Sequence, residues 1–291
     1  MQPSEHGKRL RAGFLLAFIG FSSLVLGGCF FPLLCAFLLW QATKEFVSLI
    51  KASGAKPLET FLLVLVPGCS ICAAFSRNAL NCWFTLSCIV ILCAFVVRSF
   101  YGPKIKGTLP DLAASVFCLI YTGWLPAHIV LLRYIGQDAS FWSAHPWKEA
   151  GIFYCSFALI SVVINDTASY YAGKAFGRTK LAEAISPNKT IKGSVAGIAC
   201  GTLTGILLGI FGAPYFGLHF SNWSIILLSF ACNVLAQMGD LAESLMKRSV
   251  GAKDAGQTIE GHGGVLDRFD SHLLASNIAY YFFLAHYLNY F

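Results

Sequence analysis

Of the 14 Asp and Glu residues in this 291-residue chain, six fall in one short stretch: Asp240, Glu243, Asp254, Glu260, Asp267 and Asp270. Asp240, Glu243, Ser244 and Lys247 are spaced i, i+3, i+4 and i+7, so a helix presents them on one face. Asp267 and Asp270 are spaced i, i+3 at the start of a second apolar segment, with Arg268 between them. An ionised carboxylate inside an apolar helix costs roughly 2.5 to 3.5 kcal/mol unless it is paired. Carboxylates gathered there are expected to hold something cationic, and hard oxygen donors suit Mg²⁺. A plainer reading pairs Asp240 or Glu243 with Lys247; it explains one carboxylate but not two and a serine. For Asp267 and Asp270 the plainer reading is capping of a helix start.

The segment joining these acids reads KRSVGAKDAGQTIEGHGGVLDRFDS. Lys247, Arg248 and Lys253 supply charge for binding phosphate. Gly261, Gly263 and Gly264 permit close backbone approach to an anion. His262, between them, can donate to a phosphate oxygen or transfer a proton. Further upstream stands NDTASYYAGKAFGRTK. Asn165 and Asp166 there suit either helix packing or contact with a base, a ribose or a metal. Ser186, Pro187, Asn188, Lys189 and Thr190 form a turn that offers a lysine and hydroxyls beside the next helix N-terminus, a favourable place for an anion.

The elements that position these residues are membrane helices. Hydrophobic residues make up 56% of the chain and charged residues 12%, against about a quarter charged in a soluble domain. That composition excludes a water-coated globule. Apolar runs of roughly 20 residues cross a bilayer as helices, because backbone groups in lipid must be satisfied internally. The expected fold is an all-α, polytopic transmembrane bundle of about nine spans. The spans fall at Phe14–Leu26, Cys29–Ile50, Thr60–Phe75, Cys82–Val97, Leu112–Tyr134, Gly151–Ala172, Ser194–Gly212, Trp223–Met246 and Ser271–Tyr290. Residues 1–150 read as N-terminal membrane helices for a lipid entrance or a dimer contact. Residues 151–291 read as a catalytic membrane domain with polar loops at 173–193 and 247–270. Gly193, Gly197, Gly201, Gly205 and Gly209 recur every fourth residue, a stripe for close helix packing. The Cys69–Cys72 pair has no second pair nearby and reads as small apolar residues.

Basic residues set the expected orientation. With the N-terminus inside, 18 of the 21 Lys and Arg fall on inner segments, and only Arg77, Arg133 and Lys148 fall outside. Both polar loops then face the cytoplasm, where nucleoside triphosphates are found. Trp142 and Trp147 fall in an outer interfacial belt.

Ser244, Lys247-Arg248, Lys253-Asp254, His262-Gly263-Gly264, Asp267-Arg268 and Asp270 stand in an order and spacing that resembles the phosphatidate cytidylyltransferase signature, that of the CDP-diacylglycerol synthase family. The middle loop is similar too, at Asp166-Thr167, Gly177, Ser186-Pro187 and Lys189-Thr190. It departs at Lys192, where the family usually has an acid, at Ala168 for Gly, and at Lys174 for Arg. The resemblance covers roughly the C-terminal half.

The resemblance implies that CTP and phosphatidate give CDP-diacylglycerol and pyrophosphate. It also implies a paired-cation centre of Mg²⁺ and K⁺ on Asp240 and Asp267. Lys247, Arg248, Lys253 and Arg268 then hold the triphosphate or the lipid phosphate, and Asp254, His262 and Asp270 orient these groups. Asp166, Ser186, Lys189, Thr190, Glu243, Ser244, Gly263 and Gly264 line the substrate site. Membrane lipids are the expected surroundings, nucleic acid is not an expected partner, and a homodimer is an option. The expected location is a bacterial inner membrane with the site facing the cytoplasm. Three other readings compete: a CTP-dependent polyprenol or phytol kinase, a transporter, and a non-catalytic scaffold.

Overall fold

Long helices separated by short connections build most of the described residues. The computed structural model describes residues 18–101, 105, 107–136, 149–256, 258 and 263–289. The expected first span is seen in part, with residues 18–26 helical. The helices that follow are α1 (Phe30–Ala52), α2 (Glu59–Phe75) and α3 (Arg77–Tyr101), then α4 (Thr108–Arg133). After them come α5 (Ala150–Phe176), α6 (Ile191–Leu207), α7 (Asn222–Ser249) and α8 (Leu266–Tyr287).

Six helices among the described residues are long and apolar enough to cross a bilayer, fewer than the nine expected. Two others are helical where spans were expected but fall short. Helix α2 has only 17 residues. Helix α8 has 22 but carries polar residues along its length, among them Asp270, His272, Asn277 and His286. Large apolar side chains point outward, among them Phe100 at 78% exposure and Phe211 at 75%. Such a surface is stable only against lipid or a partner. The chain is an integral membrane protein.

Two compact units divide it: residues 1–131 with 249–268, and residues 132–248 with 269–291. In the first unit, polar side chains stitch apolar helices together. The Ser70 hydroxyl donates to Pro32 O at 2.8 Å. Trp83 Nε1 donates to Leu65 O at 2.8 Å. Thr43 and Thr122 bring their hydroxyls within 3.3 Å. Helix α4 widens into a π-helical stretch at Leu119–Trp124.

In the second unit the glycine stripe does the packing. Gly193, Gly197, Gly201 and Gly205 are all buried on α6. A Cβ at Gly193 would lie 2.6 Å from Ser169 O on α5, and one at Gly205 would lie 2.5 Å from Ser229 Oγ on α7. A Cβ at Gly201 would lie 2.9 Å from Ser161 O and would collide with the Asn233 amide. Both neighbouring helices therefore occupy the volume that a side chain would fill. The aromatic rings of Tyr154 and Phe283 stack with centroids 4.4 Å apart. Arg133, fully buried, pairs with Glu149.

One departure from an all-helical chain lies in the middle polar loop. Strands β1 (Lys180–Ala182) and β2 (Ser186–Thr190) form an antiparallel hairpin. The segment 186–190, expected as a turn, is thus extended. Lys180 Nζ secures it by donating to Pro187 O at 2.5 Å.

Overpacking a tight helix contact costs about 1 to 3 kcal/mol. Gly201→Ala is expected to lose that much, read as a lower thermal unfolding midpoint in detergent. Gly212→Ala, whose methyl would meet only Phe153 at 3.6 Å, is expected to unfold like the parent.

Candidate functional site

The polar end of the second unit is built from the last turns of α5, the hairpin, the start of α6 and the lower half of α7. Thr190 ends β2 and begins α6. Its Oγ1 accepts from Gly193 N at 3.2 Å, a side-chain N-cap. The cap fixes where the hairpin leaves the helix. Its neighbour Lys189 is thereby directed at α7, where Nζ lies 2.6 Å from Asp240 Oδ2. Both side chains keep roughly a quarter of their surface exposed. The pair lines the wall of a cavity, with the ammonium nitrogen of Lys189 itself buried.

That cavity has a volume of about 480 Å³, within the range of small-molecule sites. Lys174, Lys180 and Lys189 line it with positive charge, and Asp166 and Asp240 with negative charge. Asn188, Thr190, Ser194 and Tyr170 complete much of the wall. Such an arrangement can take a polyanion together with a cation that shields it.

A hydrogen-bonded amide network forms the floor. Asn165 is fully buried. Its Nδ2 donates to Asn233 O at 2.9 Å. Its Oδ1 accepts from Gln237 Nε2 at 2.9 Å and from Ser169 Oγ at 3.3 Å. Gln237 Nε2 also reaches Ser194 O at 2.9 Å, and Ser194 Oγ donates to Gln237 Oε1. Asn165 is therefore a packing residue, whereas its neighbour Asp166 faces the cavity. Sequence reasoning left these two roles open and did not single out Gln237, Ser169 or Ser194. The signal was present: amide and hydroxyl groups inside apolar helices need partners.

Further carboxylates lie close by. Glu243, fully buried, pairs with Lys247 Nζ at 3.1 Å. Asp270 lies within electrostatic reach of both Glu243 and Asp240. The Ser271 hydroxyl reaches both Asp166 and Asp270. Ser244 Oγ stands 3.5 Å from Asp240 Oδ1. Four carboxylates here, Asp166, Asp240, Glu243 and Asp270, face the side chains of Lys189 and Lys247. This donor set fits a hard cation. Among the described residues no three His, Cys, Asp or Glu side chains converge as a metal cage. A cation held here would draw its remaining ligands from water and phosphate, as Mg²⁺ commonly does.

Arg248 is exposed, and its Nε donates to Ile185 O at 3.3 Å. Ser186 is half-buried on β2. In the first unit, Lys253, Asp254 and Arg268 lie at the surface. Asp267 accepts from Gly264 N at 2.8 Å and from Ala255 N at 3.0 Å through Oδ2, so its carboxylate ties the loop ahead of α8. Gly263 has φ +83°, a left-handed conformation that favours glycine. His262 lies outside the described residues. Glu45 on α1, which sequence reasoning passed over, is 6% exposed and faces this same loop. Its signal was a lone acid in an apolar helix.

Likeness to known proteins bears on what such a site does. The sequence profile of the cytidylyltransferase family matches residues 7–286. The chain is 34% identical over 281 residues to a phosphatidate cytidylyltransferase of Synechocystis sp., covering 91% of this chain and 92% of that one. It is 30% identical over 260 residues to a phosphatidate cytidylyltransferase of Staphylococcus saprophyticus, covering 88% and 91%. A protein of the same name from Staphylococcus epidermidis is 37% identical over 175 residues, covering 58% and 65%.

The amide floor yields a direct check. Asn165→Leu removes the hydrogen bonds that its amide makes to Asn233 O and to Gln237 Nε2, and buried polar groups that lose a partner cost about 1 to 3 kcal/mol. Thr167, exposed on the same helix and bonded only to Val163 O, is the control. Asn165→Leu is expected to melt well below the parent protein, and Thr167→Val close to it.

Proposed function

The chain belongs to the cytidylyltransferase family, and from that premise we propose that it transfers the cytidylyl group of CTP to phosphatidate, giving CDP-diacylglycerol and pyrophosphate. The observation that carries this reading is the second unit's cavity, where Lys174, Lys180 and Lys189 face Asp166 and Asp240. A phosphate oxygen of phosphatidate attacks the α-phosphorus of CTP. The bond to the β-phosphate oxygen breaks, and pyrophosphate leaves with the electron pair. The nucleophile is already ionised at neutral pH, so the barrier lies in bringing two polyanions into line.

The residues have roles that follow from their chemistry. Lysines at the cavity wall neutralise the triphosphate and hold its geometry. Lys189, paired with Asp240 at 2.6 Å, exchanges part of that contact for phosphate when nucleotide enters. Tyr170 offers an aromatic face at the rim to a base. Lys247, held by Glu243, adds positive charge on α7. Asp166 and Asp270, both in reach of Ser271, place negative charge near Lys189 and Lys247 to orient them. Lys253, Arg268, Asp254 and His262 keep the roles given by the motif, as phosphate-binding and orienting groups.

Mg²⁺ is the proposed cation, with K⁺ as a second, and Asp240 and Asp267 are the residues proposed to hold them. A bound divalent ion would supply charge neutralisation to the phosphates. Asp240 has hard oxygens at the cavity wall, and Asp267 has lone pairs beyond those used by the backbone amides.

The charge bias of the loops supports a cytoplasmic site in an inner membrane, on the side where CTP is made. The relatives compared above are all named as cytidylyltransferases, which leaves the kinase and transporter readings without support.

Labelled CTP separates the proposal from the kinase directly. With purified protein in phosphatidate-containing micelles, label at the α-phosphorus is expected in the lipid product and label at the γ-phosphorus in pyrophosphate. Lipid labelled from the γ-position would replace this reading with phosphoryl transfer.

A further inference from the structure

Glu45 is buried near the C-terminal end of α1, in the first unit, far in sequence from every residue of the motif. Its carboxylate accepts three hydrogen bonds from the segment ahead of α8. Thr258 Oγ1 donates to Oε1 at 2.6 Å, Val265 N to Oε1 at 2.9 Å and Leu266 N to Oε2 at 2.8 Å. The two amides belong to the start of α8, so a side chain from another helix satisfies donors that the helix itself cannot. Its negative charge also lies at the positive end of the helix dipole.

The loop is shaped to receive this one side chain. A Cβ at Gly256 would lie 2.7 Å from Glu45 Cγ, and one at Gly264 would lie 2.7 Å from Glu45 Cδ. The glycine that the motif offers at 264 thus makes room for a carboxylate of the protein itself. Gly264 N then donates to Asp267 at 2.8 Å, and Ala255 N donates there too. Two carboxylates therefore share one loop: Glu45 holds its α8 end from outside, and Asp267 gathers it from within.

We propose that Glu45 is a positioning residue for cytidylyl transfer. It fixes the first turn of α8 and through it the orientation of the Asp267 carboxylate. This rests on the reading of the site given above. A residue that acts on geometry alone affects the step in which geometry matters most. A misplacement near 1 Å can cost about a hundredfold in rate, while ground-state binding of large substrates with many contacts changes little.

The test uses the full-length protein in nanodiscs, with Glu45→Gln as the main variant. Gln keeps the shape, loses the charge and turns a donor toward a backbone N–H. Its kcat is expected to fall about 10- to 100-fold, with KM for CTP and for phosphatidate within about threefold of the parent. Amide exchange is expected to quicken at residues 263–266 and to stay unchanged across α2. Thr258→Val removes one exposed donor without touching the core; it is expected to lower kcat at least about twofold and to quicken exchange in the same segment. Wild-type kcat in both variants would overturn the proposal. So would exchange that quickens across the whole unit, because that marks general unfolding. If the parent protein itself makes no CDP-diacylglycerol, the functional reading fails, and the exchange data still decide whether Glu45 holds the loop.

Discussion

A carboxylate in an apolar bundle must find a cation or a set of amide donors, and five of the described acids of this chain do so. Asp240 finds Lys189 on a hairpin. Glu243 finds Lys247 one turn along the same helix. Glu149 meets the buried Arg133. Glu45 and Asp267 take backbone amides instead. Each solution ties together segments that lipid alone would leave indifferent to one another. The polar end of the second unit thus consists of charges already arranged in mutual contact.

Holding those charges in place requires a rigid floor. The glycine stripe of α6 lets α5 and α7 approach until Asn165, Gln237, Ser169 and Ser194 bond across the gaps. In lipid such polar contacts supply specificity where the hydrophobic effect between helices is absent. Helix packing and site geometry are one arrangement, because the residues that close the helix seam also form the base of the cavity.

Much of this was legible in the sequence. The helix positions followed from hydropathy, since long apolar runs have few alternatives in a bilayer. The shared face of Asp240, Glu243, Ser244 and Lys247 followed from helical periodicity, and the ion pair of Glu243 with Lys247 was one of the two pairings considered. The partner of Asp240 was not legible. It depends on the extended backbone at 186–190 that brings Lys189 across, and residues rich in Pro, Asn and Ser suggest a turn equally well. Glu45 was missed for a different reason. It bonds to residues more than 200 positions away, and no local pattern marks such a contact. Gly264 was legible as a place for close approach, but what approaches it is Glu45.

The account rests on Asp240 drawing a divalent cation to the cavity when nucleotide is present. Mn²⁺ titration followed by electron paramagnetic resonance, with CTP bound, reads that property without requiring turnover. The parent protein is expected to bind Mn²⁺ at least about tenfold more tightly than Asp240→Asn, the equivalent of about 1.4 kcal/mol. Equal affinity in the two proteins would contradict the assignment and leave Asp240 with Lys189 as its only role.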